Sequence, residues 1–225
     1  MANIYTYSPK IPNLRRDTHA SYALGLLAVM HFAGFLGLQA NWTRPWFEAL
    51  VPFNLLATTS ILLYFHQDWS RRFWLFALIT SLSGFFVEVL GVHSQVIFGS
   101  YFYEQTLGYK ILDVPVVIGL NWLMLIYITG DICHRLPWHW VFKSLLAAAL
   151  MVLLDSVIEP VAIVHDFWEW QGGTIPLQNY LAWYIISFLL LCLFYLLKFK
   201  KDNPLSLGLY LVQILFFVAH CLSYV

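Results

Sequence analysis

Charge is scarce in this chain. Asp, Glu, Lys and Arg make up 11% of its 225 residues and cancel to a net charge of zero. With no basic surplus to hold a phosphate backbone, a nucleic-acid partner is not expected. Cysteine is almost as rare: Cys133, Cys192 and Cys221 stand singly among apolar residues, with no CxxC pair. That excludes a thiolate metal centre or a disulfide framework and leaves three small hydrophobes. The eight histidines form no HxxH or HxxxH pair, so ligands do not converge and no metal is expected. A retinal-linked pigment needs a lysine inside its last helix, and residues 205–225 contain none. A cleaved leader is not expected either. The first apolar run is a full span long and ends in Asn41-Trp42-Thr43-Arg44 rather than in small residues.

What the chain does contain is hydrocarbon. Sixty per cent of its residues are hydrophobic, far above a soluble domain. Seven runs are long enough to cross about 30 Å of hydrocarbon at about 20 residues each: 20–40, 46–65, 73–92, 114–133, 140–159, 180–197 and 205–224. The expected architecture is an all-α integral membrane protein, one bundle domain over residues 1–225. Lys10, Arg15, Arg16, Arg71, Arg72, Arg135, Lys143, Lys198, Lys200 and Lys201 fall on one side of a seven-span bundle, against Arg44 and Lys110 on the other. The positive-inside rule then puts the N-terminus in the cytoplasm and the C-terminus outside, in a multi-pass cell-membrane protein.

Four acids lie in or at the ends of these runs: Glu88, Asp113, Asp155 and Glu159. Alternating topology brings them all towards the outer side. A carboxylate at membrane depth is costly unless it is paired, protonated or used. Asp155 and Glu159 are four apart and share a helix face. Glu88 and Asp155 sit within apolar runs and have no basic partner in the same span, so a structural role explains them least well. Asp113, two residues before Pro115, has the look of a helix N-cap. Glu159 before Pro160 reads as a helix end, and Asn179 reads as another cap. The two outer loops are long, glycine-bearing and aromatic, through Tyr101-Phe102-Tyr103 and Phe167-Trp168-Glu169-Trp170. They read either as an interfacial aromatic belt or as a cover over a lipid-facing pocket.

Buried acids beside aromatic rings suit one chemistry on a greasy substrate. A carboxylic acid kept neutral by apolar surroundings can protonate an electron-rich alkene. Indole and phenol faces stabilise the resulting cation, and a second carboxylate can orient a water for attack. Trp122 and Trp183 are candidate walls, on the fourth and sixth runs near the polar groups.

The same residues carry a family resemblance. Glu88-Val89-Leu90-Gly91, Phe98-Gly99-Ser100-Tyr101-Phe102-Tyr103, Leu107-Gly108, Val114-Pro115-Val116-Val117-Ile118 and Asn121-Trp122 form one block. Asp155, Glu159-Pro160, Trp168, Trp170, Ile175-Pro176-Leu177-Gln178-Asn179-Tyr180 and Trp183 form the second, so that the motifs span about residues 85–185. In order and spacing the chain resembles the CruF-type carotenoid 1′,2′-hydratases. It departs from them at Glu159, where Asp is usual, at Gly119, where Pro is usual, and at Ala182, where Gly is often found. The resemblance implies cofactor-independent addition of water across the 1,2 double bond of an acyclic carotenoid end group, as in lycopene or γ-carotene, drawn from the bilayer. Glu88 or Asp155 would donate the proton and Asp113 or Glu159 would orient the water. Asn179 would hold the water or a carboxylate, and Tyr101, Asn121 and Trp168 would line the binding site beside Trp122 and Trp183. A membrane lycopene cyclase shares the protonation step but closes a ring, and a non-catalytic carotenoid- or lipid-binding protein would need no acid at all. Oligomeric state is open.

Overall fold

A computed structural model describes residues 14–224, with side chains from residue 18 onward. Lys10, used above for orientation, lies outside the described residues, as do the side chains of Arg15 and Arg16. Seven helices follow in order: α1 Leu14–Gln39, α2 Arg44–Tyr64, α3 Arg71–Ser94, α4 Val117–His134, α5 Trp140–Val164, α6 Leu177–Leu196 and α7 Ser206–Ser223. All seven are long and apolar enough to cross a membrane. Backbone groups in hydrocarbon must bond within their own segment, which is why apolar runs of this length fold as helices. Local signals set several ends. The Ser70 hydroxyl accepts from Phe73 N at 3.4 Å to start α3, and Gln95, at φ 58°, ends it in the left-handed conformation.

Two of the departures from the expected bounds bear on the acids. α5 does not stop at Glu159 but runs through Pro160 to Val164. A membrane-spanning helix tolerates one missing N–H when neighbouring groups serve the freed carbonyl. α4 starts at Val117 rather than at 114, because Val114–Pro115 is a short strand.

α4 is the hub. It packs on α2, α3, α5, α6 and α7, while α1 leans mainly on α2 and α7. One end of the bundle gathers the end of α3, the start of α4, the end of α5 and the start of α6. There the two aromatic loops meet: β1 Tyr101–Tyr103 pairs antiparallel with β4 Trp168–Trp170. Alternation along a strand sends Tyr101, Tyr103 and Trp170 inward and leaves Phe102 and Glu169 outside. A hairpin, β2 Lys110–Ile111 with β3 Val114–Pro115, closes through Leu112 and Asp113, both at positive φ, the geometry of a two-residue type I′ turn. Lys110 Nζ donates to Tyr103 O at 2.5 Å and ties hairpin to ribbon.

The opposite end holds a buried acid that the sequence reading passed over. Asp131 is fully buried near the end of α4, ~20 Å along the helix from Ile118. Its carboxylate accepts from Asn203 N and lies 3.5 Å from Arg135 Nη2. Asn203 Nδ2 in turn donates to Leu62 O at 2.8 Å. These bonds staple the α6–α7 connection onto α4 and α2, a structural use for an intramembrane charge.

Candidate active site

Three of the four predicted acids converge beneath the ribbon. Glu88 on α3 and Asp155 and Glu159 on α5 are each 2% exposed, and all three line one small cavity of about 30 Å³, room for about one water molecule. Trp122, Asn121, Trp183, Asn179, Tyr101 and Trp168 line it too, so every predicted wall residue is brought to the same place.

The three carboxylates differ in what surrounds them. Glu88 Oε2 accepts from Tyr101 OH at 2.5 Å and Tyr103 OH at 2.9 Å, and Oε1 accepts from Trp122 Nε1 at 3.1 Å. Glu159 Oε2 accepts from Trp168 Nε1 and Trp170 Nε1, each at 2.9 Å, and its Oε1 accepts from Asn179 Nδ2 at 2.9 Å. Both shells consist of donors alone, matching an acceptor-only carboxylate. Among the described residues Asp155 has one donor, Asn179 Nδ2 at 3.3 Å from Oδ2. The Asn179 amide thus bridges the two acids of α5.

Aromatic packing fixes the walls. Trp122 and Trp183 stack at 4.3 Å and 19°. Tyr101 meets Trp170 at 5.1 Å and Tyr103 meets Trp168 at 6.0 Å across the ribbon register. Burial first, and then the Glu88 carboxylate, push the Tyr101 and Tyr103 phenols well above their ordinary range. Both therefore stay protonated donors at any working pH. Two glycines make the fit possible. A Cβ at Gly84 would lie 2.3 Å from Trp122 Cγ, and one at Gly91 would lie 2.4 Å from Phe98 Cδ2 and 3.0 Å from Tyr101 OH. Gly91→Ala is expected to destabilise by about 1–3 kcal/mol through overpacking and to shift the Tyr101–Glu88 contact; thermal unfolding with tryptophan fluorescence checks both. An unchanged melting curve and spectrum would remove this account of the glycine.

Asp113 is the exception. It lies in the β2–β3 turn with a side chain 74% exposed, 3.6 Å from His93, and is not among the cavity residues. It does not cap α4 either, because that helix starts at Val117 behind Val116 with no side-chain cap. A two-residue turn demands positive φ, which Asp tolerates, so the turn claimed the residue that spacing assigned to the helix. Asp113→Ala should leave turnover within about twofold, as surface changes usually do; a loss of tenfold or more would return it to the site. Glu159 moves the other way, because the continuation of α5 past Pro160 buries it in the cavity. Asn179 likewise caps nothing with its side chain but spends its amide on the two acids. Tyr103 and Trp170 hold carboxylates and were missed as site residues. The spacings Tyr-x-Tyr and Trp-x-Trp were the available signal, since period two places both rings of each pair on one strand face.

No three His, Cys, Asp or Glu side chains among the described residues are placed to share a metal ion. N–H and O–H donors occupy the oxygens of both glutamates instead.

No curated protein and no solved structure matches the chain. The family described as carotenoid biosynthesis protein does match, over residues 49–224. That stretch contains every residue of the acid cavity and the pair of strands that covers it. A seven-helix membrane bundle with an acid and indole pocket fits a lipophilic carotenoid substrate, and a role in carotenoid biosynthesis follows from the match. The chain belongs to the carotenoid biosynthesis protein family.

Proposed function

We propose that the protein hydrates the 1,2 double bond of an acyclic carotenoid end group, of the lycopene or γ-carotene kind. The observation that carries this reading is the unequal solvation of the three acids. Glu88 and Glu159 each take three donors, whereas Asp155 takes one and keeps an oxygen available to carry and present a proton.

Asp155 transfers its proton to C2 as the alkene electron pair forms the new C–H bond. A tertiary cation is left at C1. The π faces of Trp122, Trp183, Tyr101 and Trp168 wall that position and stabilise positive charge. Water held between Glu159 and Asn179 attacks C1, and its surplus proton passes to Glu159. The proton then crosses the shared face of α5 to Asp155, which resets the pair. The sum is one water added, with no change in redox state. Glu88 anchors the ribbon and Trp122 and stays out of the proton transfers.

A second carboxylate beside the proton donor, Glu159 bonded to Asn179, supports water capture over ring closure. The Lys and Arg excess at the opposite end of the bundle supports a cell-membrane protein with its carboxylate end outward. Expression in a lycopene-producing bacterial host, followed by mass analysis of the pigments, tests the reaction. The expected product is heavier by one water per reacted end. A product of unchanged mass bearing a β-ionone ring would overturn hydration in favour of cyclisation.

A further inference from the structure

The acid cavity has neighbours. Ile118, Asn121, Ile158 and Trp168 line both it and a second cavity of about 110 Å³ between α2, α4 and α7. That cavity in turn shares His31, Leu38, Val51, Asn54 and Phe216 with a groove of about 380 Å³ between α1 and α2. The three spaces follow one another along common walls, from the carboxylates to the lipid-facing flank of the bundle. Leu50 and Phe53, both exposed, stand at the outer edge of the groove.

We propose that this row of cavities is the binding channel for the long polyene chain of the substrate. It is entered sideways from the bilayer between α1 and α2, and it ends at Asp155. The chemistry of the reacting end rests on the hydration reading; the channel rests on the lining alone. Its depth is right for a chain rather than a compact ligand. Along α4 the wall runs from Ile118 through Asn121 and Met124 to Leu125, ~10 Å of helix. On α2, Val51 and Asn54 face the same cavity, and with Ala57 they carry its lining into the groove at helical spacing, over ~9 Å of helix. Access from water is barred at the other end, where the β1–β4 ribbon lies over the acids. A hydrocarbon gains almost no hydrophobic drive on leaving lipid, because lipid tails are as apolar as the protein wall. Binding must then come from close contact along the chain. One bulky side chain in the channel should therefore cost much of it, with nothing to compensate.

Purified full-length protein reconstituted with lycopene tests this, with retained pigment per protein read by absorbance. Ala57→Trp, on the groove wall, should retain at least about tenfold less lycopene, a loss of about 1.4 kcal/mol. Ala33→Phe on the facing wall of α1 should do the same, which guards against one variant failing to fold; helical circular dichroism verifies both. Leu56→Trp, one residue along on the exposed face of α2, should retain wild-type pigment. Wild-type protein that retains no lycopene, channel variants that retain it fully, or equal loss in Leu56→Trp would each overturn the channel. Its failure is separable from failure of hydration. Retention that follows this pattern without any hydrated product keeps the channel and removes the reaction. Hydrated product at wild-type rate in both channel variants does the reverse.

Discussion

Asp155→Asn is expected to abolish hydration, lowering turnover by about 100- to 10,000-fold, the usual worth of a positioned general acid, while the folded protein still retains lycopene. The amide keeps the shape of the carboxyl group and can still accept from Asn179, but it has no acidic proton to give. Three features single this residue out. It is 2% exposed, it lines the cavity, and it receives one hydrogen bond at 3.3 Å where each glutamate receives three. Glu159→Gln should hurt less, because an amide oxygen can still hold a water even though it cannot take its proton. Turnover and retained pigment must be measured together on the purified variant. Asp155→Asn turnover above about a tenth of wild type would reject it as the proton donor.

Glu88→Ala is expected to destabilise the protein by at least about 3 kcal/mol and to free the ribbon from the bundle. The substitution strands Tyr101 OH, Tyr103 OH and Trp122 Nε1, all buried and all aimed at the missing carboxylate. Each orphaned donor costs about 1–3 kcal/mol. Because the penalty lies in the unpaired donors, removing them should recover stability. Glu88→Ala combined with Tyr101→Phe and Tyr103→Phe should be more stable than Glu88→Ala alone, opposite in sign to additive damage. Unfolding curves for the single and triple variants decide it. A Glu88→Ala loss below about 1 kcal/mol, or a triple variant weaker than the single, would mean that the shell does not hold the ribbon.

Much of the site was legible because period and composition carry it. Seven apolar runs and alternating topology were enough to bring Glu88, Asp155 and Asn179 to one end. Trp122 and Trp183 follow from helical spacing beside them. The helix-boundary readings of Asp113 and Glu159 failed for opposite reasons at the same kind of place. Each stands within two residues of a proline, and a proline marks a helix boundary only statistically. Which side of the boundary a residue takes depends on what surrounds the proline: a tight turn around Asp113 and a packed bundle around Glu159. Asp131 escaped notice because its partner Arg135 lies one turn on and reads as a basic flank of the next loop.

Class, span count, scarcity of charge and the set of residue types available for chemistry are all legible along the chain. Those follow from local chain physics, since a run of 20 apolar residues has one way to satisfy its backbone in hydrocarbon. Tertiary structure alone decided which carboxylate goes short of donors, that two loops some 65 residues apart join as one ribbon, and that the cavities line up towards α1 and α2. These are properties of contacts between distant segments. Hydrogen-bond supply to a buried acid depends on which side chains arrive from other helices, and no periodicity within one helix records that.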